Sequence, residues 1–167
     1  MKRRSTELGA IRRIAVLMAC HNRRETTLNC LRHLYDQDSA DDMVVETFLV
    51  DDGSTDGTAG AVRSEFPDVT LIEGDGTLFW CGGIRKAWSV AMRGDYDAYL
   101  WLNDDVVLLA GALLTLTKVA EQSYSAGVAD ALVVGSCADP RTGQPTYGGR
   151  VRSNRRENRI VPPEDVP

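Results

Sequence analysis

Val44-Val-Glu-Thr-Phe-Leu-Val-Asp-Asp-Gly-Ser54 is an apolar run of strand length that stops abruptly on two aspartates, a glycine and a serine. Ala98-Tyr-Leu-Trp-Leu-Asn-Asp-Asp105 has the same form. Ahead of both, Ile14-Ala-Val-Leu-Met-Ala-Cys20 is continuously apolar, as expected of a strand covered on both faces. Helical stretches fall between. Asn22 is placed to cap the first helix, with Glu25 three residues on as in a capping box. Leu28, Leu31, Leu34 and Tyr35 make its buried stripe. A short helix with Ala59, Val62 and Phe66 on one face follows the second strand and stops at Pro67. Residues 69–72 read as a third strand, and a glycine-rich loop leads into a helix striped by Ile84, Ala87, Trp88, Ala91 and Met92. Trp88 and Trp101 belong in the core by this pattern. A helix near 111–122 and a fifth strand at 131–136 complete the series. Strands alternating with helices predict an α/β domain with a mainly parallel sheet. The carboxyl ends of such strands share one rim, where these sheets bind ligands.

The chain has 167 residues, the size of one domain. Its 43% apolar and 26% charged residues suit a folded chain with a real core. A net charge of -5 argues against nucleic acid as a partner. No apolar stretch is long enough to span a bilayer, and no signal-peptide core follows the first residues. Cys20, Cys30, Cys81 and Cys137 are scattered, without zinc spacing or a dense disulfide pattern, and read as reduced, mostly buried thiols of a cytoplasmic protein. Both ends are basic: residues 1–12 form one tail, and 152–167 a second that turns Pro-rich. The plain reading is solvated termini. The sharper one is peripheral contact with anionic lipid heads at the inner face of the membrane.

The aspartate doublets carry the functional argument. One aspartate at a strand end ordinarily caps a turn or helix. Two doublets closing two strands of one parallel sheet share a rim, and neighbouring carboxylates repel unless a cation or donors intervene. A hard divalent ion relieves that repulsion and takes one or two carboxylates together with substrate phosphates. Rival phosphate sites lack their motifs. Ala19-Cys20-His21-Asn22-Arg23 has no glycine for a dinucleotide fingerprint, and no Walker loop occurs. His21 is either a ligand contact or a plain turn residue, and His33 a surface residue on its helix. Trp80 either stacks on a base or sugar or packs under the glycine-rich loop.

The chain resembles the N-terminal half of a family 2 glycosyltransferase of the GT-A fold. The resemblance covers roughly residues 12–151, with 13–151 as the nucleotide-sugar-binding domain. It rests on the turn ending at Arg23, on Phe48 to Thr58 as the DDGS element, on Trp101 to Val106 as the DxD-type strand end, and on Asp139 to Gly143 and Tyr147-Gly-Gly149. The loop Gly74 to Gly83 is similar to that of rhamnosyltransferase-like members. The resemblance implies transfer of a sugar from a nucleotide-diphosphate sugar, UDP-, dTDP- or GDP-linked, to an acceptor hydroxyl. It implies that backbone at Ala19, Cys20 and His21, with Asp51 or Asp52, holds the nucleobase. Arg85, at the start of its helix, would reach base or phosphate, Asp104 the ribose, and Asp105 would coordinate Mg²⁺ or Mn²⁺. The first position of the acidic triplet is Asn103.

The family draws its catalytic base from an acidic motif that would lie beyond Pro167. The expectation is therefore a donor-binding half with nucleotide-sugar affinity and little transfer by itself. The alternative is a non-catalytic binding or interaction module that lacks the acceptor half. An incomplete sheet also leaves an open edge and exposed apolar surface, a route to homo-oligomers.

Overall fold

A computed structural model describes residues 11–37, 43–128, 131–148, 150–154 and 157–160. The basic stretch 1–10 and residues 161–167 lie outside them, and with them most of the membrane-contact reading. No helix among the described residues is long and apolar enough to cross a membrane.

The chain divides into two compact units after Leu114. The first contains β1 (Arg13–Cys20), α1 (Arg24–Tyr35), β2 (Val44–Asp51), α2 (Thr58–Glu65), β3 (Thr70–Glu73), α3 (Phe79–Ala91) and β4 (Ala98–Trp101). α4 (Ala112–Ser125) begins in the first unit and continues into the second. The second unit adds two antiparallel pairs: β5 (Cys137–Ala138) with β6 (Pro145–Tyr147), and β7 (Arg150–Asn154) with β8 (Glu157–Ile160). The second pair forms within the stretch that reads as a tail.

The first unit meets the α/β expectation. Its sheet runs β3-β2-β1-β4 with every neighbouring pair parallel. The crossovers through α1 and α2 step outward from β1, whereas α3 carries the chain back across the sheet to β4. Right-handed crossovers in opposite directions put their helices on opposite faces. α3 accordingly packs on Ala15, Leu17, Ala19, Phe48 and Val50 through Ile84, Ala87 and Ala91. Side chains alternate across a strand, so Ile14, Val16 and Met18 face the other way, and they too are buried. α1 contributes Leu28, Leu31 and Leu34 to the core, and Tyr35 is exposed. Gly83 permits the close approach of α3 to β1, since a Cβ there would lie 2.6 Å from the Ala19 Cβ.

Several local expectations need correction. Asn22 does not cap α1. It takes a left-handed conformation (φ 51°), and its side chain reaches the Thr55 N–H instead. The α1 N-cap is Arg23, without a side-chain cap bond. Trp101 is 51% exposed and Trp88 half-buried, because β4 is the last strand on its side of the sheet among the described residues. No strand forms at 131–136, and Leu132 is 90% exposed. An apolar run needs a pairing partner to become a strand, and strand structure starts instead at Cys137. Cys20 and Cys30 are buried, but Cys81 and Cys137 are exposed, so only half of the thiols fit the expectation.

Candidate functional site

β2 and β4 flank β1, so their ends lie on one rim roughly 10 Å apart, with the turn after β1 between them. The chain leaves β1 through α1 toward β2 and comes back to its other side through α3, on the opposite face, which makes the rim between β1 and β4 the switch point of the sheet.

The first doublet is bound into its own loop. The Asp52 carboxylate, in a residue only 5% exposed, accepts the Gly76 N–H at 2.9 Å, the Leu78 N–H at 3.0 Å and the Phe79 N–H at 2.9 Å. A negative charge thus sits at the N-terminus of α3, where orphan N–H groups and the helix dipole favour it. Gly74 leaves room for it, since a Cβ would come 2.5 Å from Asp52 Oδ1. Phe79 has a positive φ of 52°, rare for a non-glycine residue, at the point where the loop bends to meet Asp52. Asp51 is also buried and accepts the Ser54 N–H at 3.0 Å. Its backbone carbonyl takes N–H bonds from Gly53 and Gly74.

The turn after β1 is latched to this loop. The Asp52 N–H extends the sheet ladder to the Cys20 carbonyl at 2.9 Å. His21 Nδ1 meets the Asp52 carbonyl at 2.5 Å, and Asn22 Nδ2 meets His21 Nε2 at 3.0 Å. A carbonyl only accepts, so Nδ1 carries the proton and Nε2 accepts from the Asn22 amide. Ala19 and Cys20 are buried, whereas His21 is exposed at the rim.

The second doublet is arranged differently. Asp104 is 6% exposed, while the Asp105 side chain is 51% exposed. Arg23 Nη1 lies 3.1 Å from an oxygen of each. Thr27 Oγ1 approaches the other Asp104 oxygen at 3.5 Å. Burial pushes the Asp104 carboxyl above the usual aspartate range; the Arg23 charge pulls it down, and Asp105 pushes it up. Asn103 accepts a bond from the Trp80 indole N–H at 2.9 Å, which ties the acidic turn to the start of α3. Trp80 and Trp101 make an edge-to-face pair, with ring centres 6.2 Å apart.

Arg85 is exposed in the second turn of α3, which begins at Phe79, and stands away from the helix's buried face. It is therefore not at the helix start as the sequence suggests. Sequence reading gave no role to Arg23 in the acidic turn. Its partners lie 81 and 82 residues away, with no local signal to mark them. The backbone donors to Asp52 went unread for the same reason.

The donor set at the second doublet fits a hard divalent ion of the Mg²⁺ or Mn²⁺ kind: two adjacent carboxylates, that of Asp105 half exposed. It is no all-protein cage, since no cluster of three or more His, Cys, Asp or Glu that could hold a metal occurs among the described residues. A groove of about 430 Å³ lies between α1 and α2, lined by Arg24, Arg32, Gly57 and Glu65 among others and by neither doublet.

Among solved structures, the fold is similar to that of the mannosyltransferase PcManGT from Pyrobaculum calidifontis, determined in complex with GDP-Man and Mn²⁺. The TM-score is 0.58 at 22% identity, covering 84% of this chain and 41% of that one. It is also similar to TarS of S. aureus, with TM-score 0.52, 21% identity, and 67% and 20% coverage. This chain therefore spans less than half the length of either. The likeness establishes the GT-A type of fold. No curated protein matches the sequence. The family model for glycosyl transferase family 2 matches residues 15–164, nearly the whole chain, and the chain belongs to that family.

Proposed function

We propose that the chain is the donor-binding part of a glycosyltransferase that moves a sugar from a nucleotide-diphosphate sugar to an acceptor hydroxyl. The observation that carries this reading is the second doublet: a buried Asp104 beside an accessible Asp105, at the switch point of a parallel sheet. The complex of PcManGT with GDP-Man and Mn²⁺ supports it by analogy of fold.

In this reading Asp105 offers an oxygen to Mg²⁺ or Mn²⁺, and Asp104 accepts a hydrogen bond from a ribose hydroxyl. The chemistry such an ion supplies is charge stabilisation of a diphosphate leaving group. His21 and the backbone of Ala19 and Cys20 form the floor for the nucleobase. Asp51 and Asp52 act one step back, fixing the loop that borders that floor, because their carboxylates already serve backbone donors. Arg85 has no role in this arrangement, and no catalytic base is assigned.

A second reading is favoured by one contact. Arg23 neutralises the doublet from within the chain, as expected of a binding module that does without metal. Titration calorimetry with UDP, dTDP and GDP, with and without Mn²⁺, separates the two. Metal-dependent binding of one nucleotide, abolished in Asp105→Ala, supports the transferase reading. Nucleotide binding indifferent to Mn²⁺ supports the metal-free module, and absence of binding to all three rejects the donor-site reading.

A further inference from the structure

The contact between Arg23 and the acidic turn has an unusual form. One guanidinium nitrogen, Nη1, serves both carboxylates, at 3.1 Å from Asp104 Oδ1 and 3.1 Å from Asp105 Oδ2. A single cationic NH₂ group, with one N–H for each carboxylate, therefore stands between the two acids of the rim. It comes from the turn after β1, the strand paired with β4, so the backbone ladder sets the reach of the arginine. The Arg23 side chain is 52% exposed, and the Asp105 side chain is 51% exposed. Ion pairs this open to solvent hold weakly, typically by no more than about 1 kcal/mol. The half of the contact made to Asp105 is therefore weak enough to give way, whereas the half made to Asp104, whose side chain is 9% exposed, is enclosed.

We propose that Arg23 is the resident counter-ion of the Asp104–Asp105 pair, and that a divalent cation reaches Asp105 only by displacing its guanidinium. This rests on the metal-dependent reading of the same doublet. The reason is charge, since Arg23 already occupies Asp105 Oδ2 and a cation on either oxygen of that carboxylate would stand within a few ångström of the guanidinium. A hard cation binds a carboxylate oxygen at roughly 2.1 Å, and a carboxylate that also keeps a guanidinium beside it sets two cations against each other. Arg23 thereby lowers the affinity of the nucleotide-free protein for metal.

Mn²⁺ titration of the nucleotide-free chain, with free ion read by electron paramagnetic resonance, tests this in four proteins. Arg23→Gln is expected to bind Mn²⁺ about fivefold more tightly than the parent, the factor that an exposed pair near the upper end of this range represents. Arg24→Gln changes the formal charge equally one residue along. Arg24 pairs with Glu25 and not with the doublet, so this variant is expected to stay within about twofold. No gain in Arg23→Gln, or an equal gain in both variants, overturns the proposal. Asp105→Asn separates it from the reading beneath it. If Asp105→Asn binds Mn²⁺ as the parent does, the metal is not on Asp105 and both readings fall. If it loses Mn²⁺ while Arg23→Gln gains nothing, only the counter-ion role fails. Thermal melting checks each fold, and Arg23→Met repeats the measurement if the glutamine variant melts early.

Discussion

The Asp52 carboxylate accepts three backbone N–H bonds from residues 76, 78 and 79, while Asp105, at the end of another strand of the same sheet, stands half in solvent beside an arginine from a different turn. Both doublets are spelled alike, and both close parallel strands. They differ in what lies beyond the strand. After β2 the chain doubles back through a glycine at φ 71°, and the loop after β3 folds over Asp52. After β4 no such loop covers the acids among the described residues, and Arg23 of the turn after β1 reaches both of them across the rim, with Thr27 of α1 beside Asp104. One doublet is therefore built into its own loop, while in the other Asp105 stays open to solvent. Identical residues acquire different work from the number of backbone donors aimed at them.

Stability measurements give the sharpest way to break that contrast. Asp52→Ala orphans three N–H groups at the entry to α3 and is expected to cost on the order of 3–5 kcal/mol. The loss reads as a lower urea midpoint at unchanged slope. Asp105→Ala removes one exposed ion pair and is expected to shift stability by less than about 1 kcal/mol. Similar losses in the two variants would mean that both doublets are structural.

Gly74 offers a finer test of the same loop. A Cβ there would lie 2.5 Å from Asp52 Oδ1 and 2.8 Å from Asp52 Cα, so the backbone must move to admit it. Gly74→Ala is expected to cost about 1–3 kcal/mol by overcrowding. In the Asp52→Ala background the contact with Oδ1 is gone, so part of that cost should disappear. A double-mutant cycle reads the difference. Full additivity would show that Gly74 serves the turn for some reason other than making room for the carboxylate.

Much of this architecture was legible in the residues themselves. The seven-residue run ending at Cys20 is buried throughout, and Leu28, Leu31 and Leu34 of α1 and Ile84, Ala87 and Ala91 of α3 point inward where the 3.6-residue period puts them, although Tyr35 and Met92, at the ends of the same stripes, are exposed. Both patterns follow from short-range periodicity. The doublets were legible as strand ends for the same reason. Their division of labour was not, because it depends on contacts with Gly76, Leu78, Phe79 and Arg23 that cross tens of residues. Asn22 shows the limit at short range: its type suits a helix cap, yet a tertiary bond to Thr55 drew it into a left-handed turn. Trp101 shows the limit at the sheet's flank, where an apolar pattern marks which side chains share a face but not whether anything covers it.

Two thiols extend the comparison to dynamics, since each reports on one doublet. Cys20 is the register partner of Asp51, and Cys30 donates its S–H to the Asn103 carbonyl at 3.3 Å. Burial, the main cause, pushes both thiols up to about 12 from 9.0. Between those values the native state keeps protons that the unfolded chain has released. Stability therefore falls as pH rises above about 9, and Cys30→Ala should make that decline shallower in denaturation midpoints. At neutral pH a disulfide reagent should first label the exposed Cys81 and Cys137. Of the buried pair, Cys30 should follow sooner, because the acidic turn over it is joined to its surroundings by half-exposed contacts at Arg23 and Trp80. Uncovering Cys20 instead requires opening the loop that Asp52 fastens. A rate ratio on the order of tenfold corresponds to about 1.4 kcal/mol less opening energy at the second doublet. Labelling of both at one rate, equal to that of global unfolding, would show the acidic turn to be as firmly set as the Asp52 loop, and accessible chemistry would then have to be argued from exposure alone.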